Sequence, residues 1–331
     1  CVWSAEELKK ILGSEFDDFS KVFYVKENFE GKINLTRNPN AVVSNIKLQQ
    51  WKAELLAARN KRIRPQLDDK VLTSWNALML KGYVDAYKVF GEKRFLDRAL
   101  KCADFLPTKM VQPDFSIKRN YKAGRVTING FLDDYIFTCE AFLALYEITF
   151  DEQWLALSKN ISDYVIQHFY NVNTGMFFYT SITDAPLIAR KTETNDNVIP
   201  SSNSSMAKAL YQLGMIYDNK DYLEKSKRAL MNMQDNIVAY PSYYANWAIL
   251  MDNFIDEPFE VAIVGNNAIE LNHEFAPYFL PNCIFIGANR NSQLPLLEYK
   301  FSKGETLIYI CKDKACQLPV KEVKEALKQL L

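Results

Sequence analysis

A couplet of helical patterns recurs three times along this chain, and it limits the fold more than any other feature. In each couplet a segment apolar around most of its circumference is followed by an amphipathic one: 72–90 with 93–106, 131–149 with 152–168, and 202–217 with 220–236. The joints correspond too. Phe90-Gly91 leads to Phe95-Leu96, Phe150-Asp151 to Trp154-Leu155, and Tyr217-Asp218 to Tyr222-Leu223. A helix apolar all round is buried, and its amphipathic successor covers it. A fourth apolar segment, 242–255, carries Trp247, Ile249, Leu250 and Phe254. Corresponding joints lie about 60 residues apart, beyond the roughly 34–47 residues of open helical solenoids. The surplus falls in 109–129 and 169–199, which hold turn and strand signals such as Asn173-Thr174-Gly175 before Met176-Phe177-Phe178-Tyr179. Buried inner helices, amphipathic outer helices and long loops on one rim predict a mainly α fold, an α/α toroid of repeated hairpins.

The pattern changes after Pro258. Runs at 260–265, 283–287 and 306–311 read as strands, with helices near 267–277 and 319–330, so the domain reading is a toroid over 1–257 and a small α/β appendage over 258–331. Val264-Gly265-Asn266-Asn267 lacks the glycine pattern of a dinucleotide site. Forty basic residues balance forty acidic ones, which gives no global attraction to nucleic acid or to an anionic membrane. No apolar run reaches the ~20 residues of a membrane span. The chain opens on Cys1-Val2-Trp3 without a Met, as a fragment or processed chain would. Cys102 and Cys139 fall in apolar helical patterns, and Cys311 and Cys316 have neither redox C-x-x-C spacing nor a second pair to complete a zinc site. Mostly reduced thiols, a cytoplasmic setting, no metal and no cofactor are the expectations.

The stretch Arg64-Pro65-Gln66-Leu67-Asp68-Asp69-Lys70-Val71-Leu72-Thr73-Ser74-Trp75-Asn76 joins a Pro-marked turn, two carboxylates and a Thr-Ser pair placed to cap the helix that follows. It resembles the signature of an uncharacterised family whose full-length members carry a thioredoxin-like domain followed by an (α/α)6 toroid, and which includes the spermatogenesis-associated thioredoxin-like proteins. Asn28-Phe29-Glu30-Gly31-Lys32, Phe131-Leu132-Asp133-Asp134-Tyr135, Leu143 with Tyr146-Glu147, Pro200-Ser201-Ser202-Asn203-Ser204 and Tyr309-Ile310-Cys311 with Cys316-Gln317-Leu318-Pro319 resemble further elements of that family. Ser202 stands where the family usually has Gly, and Ile136 where it has Ala. The resemblance implies a toroid similar to those of N-acylglucosamine 2-epimerases and six-hairpin glycosidases, with a thioredoxin-like domain as a partner within the longer protein.

Inner helices of a toroid point the same ends at one mouth, so three polar helix starts can converge there. Separate carboxylates in such a mouth can act as acid and base on a glycoside. Asp69, Asp133 and Asp134 are therefore the candidate catalytic groups. Trp75, Asn76, Tyr135, Ser202, Asn203 and Arg119 are the candidate substrate-binding residues, with a saccharide as the ligand. The same residue types also cap helices, which is the competing reading for each. Sugar 2-epimerisation is disfavoured, because the chain has only His168 and His273, one ending an outer helix and one in the appendage. The alternative to a hydrolase-like toroid is a non-catalytic docking module for the thioredoxin-like domain, with a redox or quality-control role.

Overall fold

The computed structural model describes residues 2–330; Cys1, the first of the six cysteines, and Leu331 lie outside it. The chain divides into two compact units at Asp68/Asp69. In the first, α1 (Ala5–Leu12), α2 (Phe16–Val22) and α3 (Asn45–Asn60) accompany a short antiparallel pair, β1 (Phe23–Tyr24) with β2 (Thr36–Arg37). Ser4 caps α1 by accepting from the Glu7 N–H, which is the N-cap half of the capping box its Ser-x-x-Glu spacing predicts, while the Glu7 carboxylate pairs with Arg62. The core of this unit is Trp3, Leu8, Leu12, Phe19, Val22, Ile33, Trp51 and Leu55.

The second unit holds the hairpins. The order is β3 (Val71–Leu72), α4 (Thr73–Phe90), α5 (Lys93–Phe105), β4 (Lys118–Lys122), β5 (Arg125–Asn129), α6 (Leu132–Thr149), α7 (Glu152–Phe169), β6 (Tyr170–Asn171), β7 (Met176–Phe177), α8 (Ser202–Tyr217), α9 (Lys220–Met231), α10 (Gln234–Ala239) and α11 (Ala245–Ile255). Inner helix α4 packs on α6, α6 on α8 and α8 on α11, while α5, α7 and α9 each pack on the inner helix before them. This is the α/α-toroid arrangement. The matched joints are one device: Gly91, Phe150 and Asp218 each take positive φ at the end of an inner helix, and each N–H returns to a carbonyl of the last turn. Two rim elements follow the surplus segments, a sheet of order β3-β4-β5 and the β6–β7 pair.

The appendage continues with β8 (Phe259–Val264), α12 (Ala268–Glu274), β9 (Cys283–Ala288), β10 (Leu307–Lys312), β11 (Ala315–Cys316) and α13 (Val323–Gln329). Its sheet order is β11-β10-β8-β9, with β8 and β9 parallel across the α12 crossover. It shares the hairpins' core. The Tyr146 hydroxyl donates to the Gly287 carbonyl at 3.1 Å and accepts from its N–H at 3.2 Å. A Cβ on Gly287 would sit 2.4 Å from the Phe150 ring, so only glycine allows this approach. The expectation of reduced thiols is corrected at one place: Cys311 and Cys316 are disulfide-bonded. Their C-x4-C spacing is two strand positions and a two-residue turn, which sets the cysteines directly opposite each other.

Candidate active site at the N-terminal ends of the inner helices

Asp134 is the third residue of α6 and is fully buried. Its Oδ2 accepts from the Phe131 N–H at 3.0 Å and from Arg119 Nη1 at 2.8 Å, and its Oδ1 accepts from the Ser74 N–H at 3.0 Å. One carboxyl thus caps its own helix and the start of α4. Thr73 and Ser74 do not cap α4 as their sequence position suggests. Strand β3 runs up to Leu72, which holds the cap position with no side-chain bond, and Thr73 Oγ1 instead donates to the Lys118 carbonyl at 2.6 Å.

Asp133, next to it, is buried but keeps 11% of its side-chain surface accessible, and Arg119 Nη1 lies 3.2 and 3.4 Å from its two oxygens. The Arg119 guanidinium also covers the Phe131 ring at 4.8 Å, and Phe131 packs on Tyr179 at 5.1 Å between centroids. Burial, and then the Asp133 charge, push the Asp134 carboxyl up to about 6 against the opposing pull of Arg119 and the two N–H groups. The Tyr179 phenol is raised by burial first and next by the Asp133 charge, and it also feels Arg119, Glu193 and Asp134. Tyr179 also ties the start of α6 to the loop before α8, its carbonyl accepting from the Leu132 N–H at 2.9 Å and its N–H donating to the Lys191 carbonyl at 2.7 Å.

The opening of α8 supplies the second group. Ser201 caps it by accepting from the Ser204 N–H. Glu193 Oε2 accepts from the Ser202 hydroxyl at 2.9 Å and from its N–H at 3.3 Å. Asn203 exchanges two bonds with Phe177 of β7 and donates to the Glu193 carbonyl at 2.9 Å. Asp196 accepts from the Ser201 N–H, the Ser204 hydroxyl and the Asn246 N–H, so the loop before α8 is pinned to the starts of both α8 and α11.

Below this mouth the inner helices line a cavity of about 350 Å³. Of the 18 residues of α6, only Glu140, Glu147 and Thr149 escape burial. Asp133, Glu140 and Glu147 are seven apart and share one helix face. Opposite them, Lys81 and Lys88 of α4 share the same spacing, and Lys208 and Gln212 come from α8. Lys88 pairs with Glu147 at 2.8 Å, and Gln212 donates to the other Glu147 oxygen at 2.9 Å. Burial raises the Glu140 carboxyl, with Lys208 and Lys81 pulling the other way. A second, apolar-walled cavity of about 380 Å³ lies at the far ends of α4 and α6, against Phe275, Phe279 and Phe285. It is remote from Asp133, at the opposite end of α6.

The structure brings Asp133, Asp134 and Arg119 together, sets Ser202 and Asn203 around Glu193, and leaves four candidates outside. Asp69 forms an ion pair with Lys122 at 2.5 Å, both more than half exposed. Lys122 is three strand residues beyond Arg119, roughly 10 Å along β4. Trp75 is 61% exposed. Asn76 Nδ2 donates to the Leu72 carbonyl at 2.8 Å, one turn back in its own helix. Tyr135 is buried, accepts from the Ile117 N–H at 3.0 Å and stacks on Tyr164, which makes it core rather than a sugar platform. His168 stacks on Tyr164 at the end of α7. Among the described residues, no group of three or more His, Cys, Asp or Glu side chains could hold a metal ion. Sequence reasoning missed Tyr179, Glu193 and Asp196, which lie in a loop without periodicity. The lumen acids had a signal, the seven-residue spacing inside an otherwise apolar helix.

Residues 40–245, well over half of the chain, match the model of the β-L-arabinofuranosidase, GH127 catalytic-domain family. The chain belongs to this family. Among curated proteins, the chain is 24% identical over 98% of its length to an uncharacterized Caenorhabditis elegans protein, of which it covers 50%. It is 26% identical over 84% of its length to human spermatogenesis-associated protein 20, of which it covers 38%. It thus spans half or less of the length of these relatives. Similar solved structures include a GH76 α-mannanase of Bacteroides thetaiotaomicron, with 14% identity, coverage of 58% of this chain and 56% of that one, and a TM-score of 0.41. A matched stretch of 206 residues (40 to 245 inclusive) contains all the mouth residues except Asn246 and Trp247; the Trp247 Nε1 donates to the Thr194 carbonyl in the pinned loop.

Proposed function

We propose that the mouth at the starts of α6 and α8 binds a saccharide and that the chain cleaves a glycosidic bond there, with Asp133 and Glu193 as the acid/base pair. The observation that carries this reading is Tyr179, whose backbone joins the start of α6 to the Glu193 loop: its carbonyl accepts from the Leu132 N–H at 2.9 Å and its N–H donates to the Lys191 carbonyl at 2.7 Å. Glycoside hydrolysis uses two carboxyl groups, one protonating the leaving oxygen and the other attacking or activating water. Asp133 keeps a small accessible part of its side chain and is oriented by Arg119, and Glu193 is oriented by Ser202. The Phe131–Tyr179 pair offers an apolar wall on which a sugar ring can stack. Asp134 is fully buried and acts as a positioning residue for Arg119. Membership of a glycosidase catalytic-domain family supports the reaction class, and pentofuranosides are the first substrates to offer. The test is a panel of aryl glycosides with the wild type, Asp133→Asn and Glu193→Gln, with folding checked by circular dichroism. Each variant is expected to lose about 10²–10⁴ in kcat/KM. A folded pair of variants that both turn over at the wild-type rate overturns the assignment, and a wild type that cleaves no glycoside overturns the hydrolytic reading.

A further inference from the structure

In the appendage sheet, Glu260 of β8 stands directly opposite Cys311 of β10, and Cys311 directly opposite Cys316 of β11. Residues opposed in antiparallel strands project to the same face with Cβ atoms ~4.5–5.5 Å apart. One row therefore crosses three strands: a carboxyl, a buried sulfur and a sulfur on the exposed edge strand. Glu260 and Cys311 are each only 2% exposed, whereas β11 is open to solvent. Glu260 Oε1 is buried without a hydrogen-bond partner. A buried carboxyl oxygen left without a partner costs free energy that an apolar group would not. Its neighbour across β9 is Ile284, which offers it nothing. The row gives that costly group a use.

We propose that Cys311–Cys316 is a redox-active pair that undergoes exchange with dithiols, and that Glu260 is the proton relay for the Cys311 sulfur. In reduction, a thiolate of the dithiol attacks Cys316 Sγ at the exposed edge. The S–S bond breaks, Cys311 departs with its electron pair, and the Glu260 carboxyl protonates it. The second thiol of the reagent loses its proton to solvent and attacks the sulfur of the first. This expels Cys316, which is protonated by water, and leaves the reagent as its own disulfide. The protein gains two electrons and two protons, the dithiol loses the same, and Glu260 recovers its proton from solvent. Oxidation runs the same steps backwards with Glu260 as base. A buried leaving sulfur is poor unless protonated, which is why the carboxyl matters to the rate. Burial raises the Glu260 carboxyl; Lys300 and Lys314 oppose this, while Glu257 and Asp313 add to it, and the Tyr211 phenol lies within its field. The turn joining the two cysteine strands holds Asp313 and Lys314 at φ 50° and 62°, and its lysines pair with Asp256 and Asp218 at 2.6 and 2.5 Å. The disulfide therefore closes a two-residue hairpin turn that is ion-paired to Asp218 and Asp256, at the ends of α8 and α11.

The experiment reduces the air-oxidised chain with dithiothreitol, traps thiols with iodoacetamide and reads the Cys311 and Cys316 peptides by mass. The native wild type is expected to be reduced about tenfold or more faster than Glu260→Gln at pH 7, with equal rates in guanidinium. Corrected for the thiolate fraction of the reagent, the wild-type rate should fall as rising pH removes the Glu260 proton. That profile needs no variant, so it stands even if Glu260→Gln fails to fold. Equal native rates, a flat corrected profile, or two cysteines that stay free in air and with oxidised dithiothreitol would each overturn the proposal.

Discussion

Asp69 and Asp134 each end an Asp-Asp dipeptide at the opening of an inner helix, yet they do opposite things. Asp134 is the third residue of α6, where its oxygens meet the unpaired N–H groups of its own first turn and of α4. Asp69 lies four positions before Thr73, and β3 intervenes. That strand carries the chain away from the helix start at ~3.3 Å per residue, so Asp69 ends on the rim beside Lys122. The position of an acid relative to the first helical residue, rather than its presence in a motif, decides whether it becomes a hub. The sharpest way to break this contrast is truncation. Asp134→Ala strands two backbone donors and the partly buried Arg119, and should cost about 3–5 kcal/mol in urea unfolding. Asp69→Ala should leave the midpoint where it was. Similar midpoints for the two variants would make Asp134 an ordinary surface cap.

A second contrast is protonation. Asp69 is lowered by its bond to Lys122, so whatever it contributes is present above the ordinary carboxylate pKa and lost in acid. Asp134 has the opposite sign. Its carboxyl titrates near 6 in the folded chain against 3.8 in the unfolded one, so between these values the folded state holds more protons and stability falls as pH rises. Glu140 and Glu260, also raised by burial, slope the same way. Comparing wild type with Asp134→Asn cancels their share. From pH 4 to pH 7 the wild type should lose on the order of 2–3 kcal/mol relative to the variant. A difference that stays constant across that range would mean the Arg119 and N–H contacts outweigh burial.

The fold was legible because helices that are apolar all round and their amphipathic partners leave a periodic trace, and each joint carries the same left-handed stop at Gly91, Phe150 or Asp218. The site was half legible. Asp133, Asp134 and Asn203 announce themselves by standing at helix starts, and Arg119 by interrupting a loop. Glu193 and Tyr179 come from a segment whose conformation is set by bonds to distant residues such as Asn203 and Asn246, which no local pattern encodes. Trp75 and Tyr135 misled because residue type says nothing of direction: one faces solvent and the other the core. Cys311 and Cys316 were read as unpaired because β11 is only two residues long, too short to show any strand pattern.

The smallest effect concerns the two asparagines in the first turns of α4 and α8. Asn76 makes one bond, back to Leu72 in the preceding turn, at a partly exposed position. Asn203 is buried and ties three backbone groups together, the Phe177 N–H and carbonyl and the Glu193 carbonyl. Removing a side chain that satisfies buried backbone groups leaves each to pay its own desolvation, whereas an exposed group turns to water. Asn203→Ala should therefore cost about 2 kcal/mol, and Asn76→Ala less than about 1 kcal/mol, in urea unfolding. The two also separate in function. Because Asn203 holds the backbone of Glu193, its loss should lower kcat/KM toward any glycoside the wild type cleaves, while Asn76→Ala keeps the wild-type value. Equal losses of activity in both variants would return Asn76 to the mouth and deny the α8 opening its special place.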